Sequence, residues 1–195
     1  GVFVRAKRNI ALQAYLHVAQ EVFTGGRLLD QTYLEYAFSM DPSARWPKLT
    51  LNGRIGEDID FAASREARSL AANLGATFRP AAKVQAELNW NNEILEDRDG
   101  GDRIYHATVQ RAKVTYSFNA KSLLRVIAQY VETTYEGAPD VSEGAFLGSV
   151  LFSYKVNWQT VLFVGYGDDR VLDERADLRQ ANRTFFAKLS YAWQM

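Results

Sequence analysis

The strict alternation of apolar and polar residues constrains the fold of this chain most, and its last segment shows it best. Residues 184–195 read TFFAKLSYAWQM. Side chains alternate across a β-strand with period two, so the segment predicts a strand with one apolar and one mostly polar face. The apolar positions are Phe185, Ala187, Leu189, Tyr191, Trp193 and Met195. A closing strand with aromatic residues at alternate positions is typical of outer-membrane β-barrels, whose assembly machinery reads it.

The same alternation recurs throughout the chain and predicts an all-β fold. We expect about ten full strands and one partial strand at the start, each full strand roughly 11–14 residues long, against about 5–6 in soluble sheets. Compact connections such as PAAK, FNAK and VNWQ alternate with longer charged ones such as AASREAR, EDRDGGDR, EGAPDVSEG and DDRVLDERADLRQANR. Short turns at one end and long loops at the other indicate an antiparallel transmembrane β-barrel rather than a soluble sandwich or lipocalin-like barrel.

Residues 1–195 are interpreted as one domain, the C-terminal portion of a larger barrel. The chain opens GVFVRAKRN, without an initiator methionine or signal peptide, which suggests a processed product or a fragment. Single-chain bacterial barrels have even strand numbers, so a partial first strand predicts that further strands belong to the barrel.

Two details of the strand pattern are specific enough to test. Between Ile104 and Phe118 the apolar residues change from odd to even positions, and a β-bulge near Gln110–Arg111 would restore one apolar face. Aromatic residues cluster towards both strand ends, as expected for two interfacial girdles. The turn-end set is Phe38, Phe78, Tyr116, Phe118, Tyr154 and Trp193, and the loop-end set is Trp90, Tyr130, Phe146, Tyr166 and Phe185.

Composition narrows the classes of partner and cofactor. The chain has 23 Lys+Arg and 23 Asp+Glu, so no basic excess points to nucleic acid. It has no cysteine, which rules out disulfides and thiolate metal sites. The acidic segments 97–102 and 168–177 lack the full EF-hand pattern and are interpreted as solvated loops. We expect no metal and no cofactor.

Several blocks of sequence resemble a known family. They are GATFRPAAKVQAELNWN, HATVQRAKVTYSFNAKSLLRVIAQY, VLFSYKVNWQTVLFVGYGD and RTFFAKLSYAWQM. From about residue 75 onwards the chain is similar to the C-terminal barrel of the domain-of-unknown-function family 5916, whose members carry a carbohydrate-binding-module-9-like domain before an outer-membrane barrel. The resemblance implies outer-membrane location, implies no catalytic residues, and covers no part of the binding-like domain.

Charged residues on the polar faces of the strands are the candidate functional groups. They are expected to form hydrogen-bonded ladders or to line water, and they comprise Glu21, Glu35, Lys48, Arg54, Arg79, Lys83, Glu87, Arg111, Lys113, Arg125, Lys155 and Lys188. A sharper hypothesis concerns five of them, which we call the basic cluster and which would favour anions in a pore. The basic cluster is Arg111, Lys113, Arg125, Lys155 and Lys188. Gly165 and Gly167 are expected to face a crowded interior.

The two histidines are the weakest candidates for chemistry. Neither His17 nor His106 lies in a GxSxG or HExxH pattern, so each is interpreted as a satisfied polar side chain. An outer-membrane hydrolase using one of them is the least favoured of three alternatives.

The favoured function is a bacterial outer-membrane channel, uptake or surface-binding protein, linked through the resemblance to carbohydrate, with no chemistry of its own. The second alternative is a structural or accessory barrel that docks a partner protein. The expected partners are the lipid bilayer, the barrel assembly machinery and another chain that completes or docks on the barrel. The assembly signal is assigned to Leu189, Tyr191, Trp193 and Met195, with the C-terminus in the periplasm.

Overall fold

The chain folds as eleven β-strands in one antiparallel sheet, which confirms the all-β prediction. The computed structural model describes residues 1–43, 46–99, 101–136, 141–173 and 177–193. The strands are β1 Val2–Ala6, β2 Ile10–Thr24, β3 Arg27–Met40, β4 Lys48–Asp60, β5 Arg65–Ala81, β6 Val84–Asp97, β7 Arg103–Ser117, β8 Ser122–Tyr135, β9 Val141–Lys155, β10 Thr160–Leu172 and β11 Leu178–Tyr191. The first strand has 5 residues and the others 13–17, as the expected partial strand and ten full strands require.

Each strand pairs only with its neighbours in the sequence, in the order β1 to β11, and the sheet is open. Consecutive strands are antiparallel, so β1 and β11, both odd in the order, run in the same direction. An antiparallel closure of this sheet therefore needs an odd number of additional strands between its two edges. Among the described residues, no helix is long and apolar enough to cross a membrane.

The strand register places the alternating residues of all eleven strands on two common faces, because directly opposed residues share a face. We call the face that carries Leu189 the apolar face and the face that carries Lys188 the polar face. One row of opposed residues on the apolar face runs through Val4, Leu12, Phe38, Leu51, Leu74, Trp90, Gln110, Tyr130, Phe146 and Arg170. The row begins at Val4 in β1 and reaches Arg170 near the loop end of β10. Staggered register of this kind accompanies the tilted strands of a barrel.

The predicted long loops are wrong, because the strands continue through the polar segments. β4 and β5 run to Asp60 and from Arg65, and β10 and β11 run to Leu172 and from Leu178. The segment 168–172, expected as loop, is therefore strand. We call the end of the sheet that holds residues 61–64, 98–99, 101–102, 173 and 177 the loop end, and the opposite end the turn end. Backbone hydrogen bonds between neighbouring strands extend the ladder past the point where the apolar pattern stops.

The predicted β-bulge at Gln110–Arg111 is also wrong. Pairing of β7 with β6 and with β8 is continuous there, and Tyr105, Ala107 and Val109 stay on the polar face. The loop-end half of β7 therefore carries apolar side chains on the face that is polar in the turn-end half of the strand. A bulge occurs instead in β2, between His17 and Gln20, where Ala19 has a φ of 50°.

Because of the bulge in β2, one candidate residue lies on a different face from the one predicted. Beyond the bulge the phase of β2 is inverted, so Glu21 lies opposite Asp30. Glu21 is therefore on the apolar-face side of β2 and not on the polar face, where the sequence pattern placed it. One extra residue in a strand moves every later side chain to the other face.

The loop end of β3 to β7 is the most enclosed part of the described sheet. Pairing of β3 with β4 stops at Tyr33 and Gly56, and Gly56 has a φ of 142°, a conformation that favours glycine. Beyond this point the β2–β3 hairpin leaves β4, and a Cβ on Gly25 at its tip would overlap with Ser64 in the β4–β5 turn. The buried apolar residues of the sheet are Tyr33, Ile59, Ala67 and Leu95.

Candidate functional site

The apolar face carries a belt of exposed hydrophobic side chains across the whole sheet. One row in this belt consists of Ala86, Val114, Val126, Val150, Tyr166 and Phe185 on β6 to β11. Val114, Val126, Val150 and Tyr166 are each about 40% exposed, and Phe185 is 73% exposed. Large exposed apolar areas mark interaction surfaces, because soluble monomers seldom expose more than a few hundred Å² of contiguous apolar surface.

The C-terminal strand presents the predicted residues on the apolar face. Leu189 lies opposite Leu162 and is 67% exposed, and Tyr191 lies opposite Thr160. Trp193 follows the strand, is 77% exposed, and has its ring centroid 6.2 Å from that of Tyr191. Lys188 lies on the polar face opposite Phe163. Met195, the fourth residue of the predicted assembly signal, lies outside the described residues.

Aromatic contacts at the turn end agree with the first predicted girdle. The ring centroids of Tyr116 and Phe118 are 4.8 Å apart in an edge-to-face arrangement. Phe118 also contacts Phe152, at 6.3 Å between centroids. Tyr154 and Phe78 are exposed nearby on the same face. A band of aromatic rings at one depth is what an interface between hydrocarbon and headgroups selects.

The five residues of the basic cluster all lie on the polar face but are spread over β7, β8, β9 and β11. Arg111 lies opposite Asn89 and Gln129, and Arg125 lies opposite Thr115 and Leu151. Arg125 Nε is buried and has no hydrogen-bond partner among the described residues.

Only one member of the basic cluster is neutralised. Lys113 Nζ lies 2.6 Å from Glu87 Oε2 on the neighbouring strand. Among the described residues Arg111, Arg125, Lys155 and Lys188 form no ion pair. Glu87 also attracts Arg125, but four cations without an ion pair outnumber this one carboxylate and give the turn-end half of the polar face a positive potential.

The loop-end half of the polar face differs from the turn-end half, because its charged side chains contact aromatic rings and groups of opposite charge. His17 is stacked on Tyr33, with 4.7 Å between ring centroids, and its Nε2 lies 3.3 Å from Glu35 Oε2. The Arg54 guanidinium lies 5.0 Å from the centroid of Tyr33 and forms an ion pair with Asp58. Arg54 is thus held between a ring and a carboxylate.

The next strands add two tyrosines and a carboxylate to this region. Tyr105 Oη donates a hydrogen bond of 2.8 Å to Glu93 Oε1. The rings of Tyr105 and Tyr135 are 6.4 Å apart between centroids and tilted by 58°. Ala71 lies between Arg54 and Glu93 in one row of opposed residues, so the backbones of Arg54 and Glu93 are two strand spacings apart, about 9–10 Å.

Ion pairs link the side chains of neighbouring strands at the loop end, beyond the apolar belt. Arg65 Nε lies 3.0 Å from Asp60 Oδ2, and Arg65 also pairs with Asp97. Burial by itself raises the pKa of Asp60. The hydrogen bonds from Arg65 and from the backbone N–H groups of Ala62 and Ala63 outweigh it and leave the pKa of Asp60 below its ordinary value of 3.8.

The histidines have hydrogen-bond partners that are not nucleophiles. His17 is bonded to Glu35, and His106 Nε2 lies 2.7 Å from Asn92 Oδ1. A serine- or cysteine-dependent hydrolytic site needs a hydroxyl or thiol within hydrogen-bond reach of such a histidine. Within the described parts of the chain, no group of three His, Cys, Asp or Glu residues is arranged to hold a metal ion.

One of the two predicted crowded glycines is confirmed. A Cβ on Gly165 would overlap with the ring of Phe186, which lies over it on the polar face. At Gly167 a Cβ would meet only the carbonyl oxygen of Gly148, at 3.9 Å. Crowding therefore explains glycine at the first position and not at the second.

Comparisons of the chain with models of known protein families, with curated proteins and with solved structures return no match.

Sequence reasoning missed the loop-end group formed by Asp58, Asp60, Glu93, Tyr105 and Tyr135. Two of these residues fall in or beside segments interpreted as loops, and Tyr105 fell in the strand whose phase was misassigned. The alternation of Arg54, Asp58 and Asp60 at even positions of β4 was the available signal. It was masked because a run of polar residues resembles a loop.

Proposed function

We propose that this sheet spans a bacterial outer membrane as part of a β-barrel, with the apolar face towards lipid and the polar face towards the lumen. The observation that carries the proposal is the belt of exposed apolar side chains, kept in register across the whole sheet and bordered at the turn end by aromatic rings. An exposed apolar belt across the whole sheet is costly in water and favourable in hydrocarbon. In this proposal the C-terminal end of β11, at the turn end of the sheet, lies on the periplasmic side.

The lumen favours anions at the turn end. Four unpaired cations line this half of the polar face, and the carboxylate of Glu87 neutralises Lys113. Rings of basic side chains raise the local concentration of anions in pores. The protein is accordingly a channel or uptake protein.

Ion selectivity tests this function directly. The double variant Arg125→Glu, Lys188→Glu reverses two lumen charges. Reconstituted in a planar bilayer under a salt gradient, it should shift the reversal potential towards cation preference. Arg68→Glu is the matched control, because Arg68 lies opposite Glu57 and Glu96 on the other face and should leave the potential unchanged. Conductance with no shift in the double variant would remove the anion-selective role.

The open edges support a role for further strands. β1 and β11 run in the same direction, so an odd number of strands would complete an antiparallel barrel. We propose that these strands come from another segment of the same protein or from another chain. The assembly machinery of the membrane would engage β11, with Leu189, Tyr191 and Trp193 as its signal.

The unpaired edge of β11 also favours the second candidate, an accessory barrel that docks a partner protein through this edge. Such a protein would copurify in a defined complex and show no conductance. The resemblance to family 5916 adds a carbohydrate-linked uptake or surface-binding role to the first candidate. A hydrolase centred on His17 or His106 remains the least supported alternative, and hydrolytic activity lost on replacement of either histidine with alanine would be its signature.

A further inference from the structure

A cavity of about 680 Å³ lies on the polar face at the loop end of β4 to β8. Its walls include Leu95, Tyr105 and Tyr135, with the carboxylates of Asp58, Asp60 and Glu93. Leu95 is 5% exposed, Asp58 8% and Asp60 7%, so the walls include some of the most buried residues of the described sheet. Cavities of roughly 300–1,000 Å³ with apolar walls and a few placed polar groups are typical of small-molecule sites.

The charges of this cavity do not balance. Asp58 is paired with Arg54, and Asp60 shares Arg65 with a second carboxylate, that of Asp97. Glu93 accepts a hydrogen bond from Tyr105 and has no cationic partner among the described residues. The cavity therefore carries excess negative charge, in contrast to the basic turn end of the same face.

The two tyrosines form a corner beside Glu93. Their rings are tilted by 58° with 6.4 Å between centroids, so a cation placed in the corner lies within about 6 Å of both ring faces. A carboxylate adjoining two aromatic faces suits an ammonium group, which is attracted by the ring quadrupole as well as by the charge.

We propose that this cavity binds an organic cation, an ammonium group carried on an apolar body. The ammonium group lies between Glu93, Tyr105 and Tyr135, and the apolar body packs against Leu95. An anionic occupant is disfavoured because Arg54, the one cation that the described residues place in the cavity wall, is already held by Asp58 and by the ring of Tyr33. The proposal goes beyond the channel function and does not depend on it, since it is argued only from the side chains that line the cavity.

Titration calorimetry of the whole chain in detergent micelles tests the proposal, with benzyltrimethylammonium chloride as the probe and empty micelles as the blank. We expect saturable binding above the blank and no saturable binding of sodium benzoate. Glu93→Gln keeps a hydrogen-bond acceptor for Tyr105 but removes the charge, and should weaken binding at least about tenfold. Tyr135→Leu should weaken it roughly three- to thirtyfold.

Glu132→Gln is the matched control. Glu132 also accepts a tyrosine hydroxyl, that of Tyr130 at 3.0 Å, but it lies on the apolar-face side of β8. It should bind the probe as the unmodified chain does. Equal far-ultraviolet circular dichroism in all variants verifies that the β-sheet is kept. The proposal is overturned if the unmodified chain shows no heat above the blank, if benzoate binds as tightly as the cation, or if Glu93→Gln binds unchanged.

Discussion

A single arginine on the apolar face distinguishes a lipid-facing surface from a water-facing one. Val126 lies in the middle of the belt, between Val114 on β7 and Val150 on β9, and is 41% exposed. An arginine at the lipid-facing midplane of a barrel costs about 2–4 kcal/mol. The same change on a water-facing surface stays within about 0.5 kcal/mol.

The control uses the same substitution on the same strand and face. Thr134 lies eight residues beyond Val126, which is about 27 Å along the strand. It is opposite His106 and Ser142, beyond the apolar belt. Thr134→Arg should therefore cost about 0–1 kcal/mol, as lipid-facing arginines do near the interface.

Equilibrium unfolding in guanidinium chloride with phospholipid vesicles measures both costs. The fluorescence of the four tryptophans reports folding. We expect Val126→Arg to lower the free energy of unfolding by about 2–4 kcal/mol and Thr134→Arg by no more than about 1 kcal/mol. Equal values for the two variants, both within about 0.5 kcal/mol of the unmodified chain, would refute the assignment of the apolar face to lipid.

Two further predictions concern packing and pH. Gly165→Val should destabilise the sheet by about 1–3 kcal/mol, because the valine overlaps with Phe186. In a double-mutant cycle, adding Phe186→Ala to the same chain should recover part of this loss. Additive effects of the two substitutions would contradict the contact. Asp60, whose pKa is lowered in the fold, stabilises the protein above its unfolded pKa and loses this contribution as the pH falls through the folded pKa. The difference in free energy of unfolding between the unmodified chain and Asp60→Asn should therefore be constant above about pH 5 and shrink below pH 3.8 in acid unfolding. A difference that stays constant down to about pH 2 would count against the Arg65 pair.

Much of the local architecture was readable from the sequence. Alternation placed Leu189 and Lys188 on opposite faces and predicted the number of strands, because the pleat of a β-strand ties side-chain direction to residue parity. The same rule predicted that the side chains of the basic cluster lie on one face of the sheet. Its members were predicted to share a face, and the register places them there without bringing them into direct contact.

Strand ends and bulges were decided by pairing between strands. The sequence pattern favoured a bulge at Gln110, yet both neighbours of β7 pair continuously there, and the bulge in β2 that moves Glu21 has no signal in the apolar pattern. Hydrogen bonds to the adjacent strand extend β4 to Asp60 through a segment in which Glu57, Asp58 and Asp60 are charged.

Sequence parity therefore determined the two faces of the sheet, and only the tertiary structure decided how far each strand runs and which side chains meet. Glu93, Tyr105 and Tyr135 lie on three different strands and become neighbours only through the register of those strands. Parity is a property of each residue's own backbone, whereas register depends on the neighbouring strands.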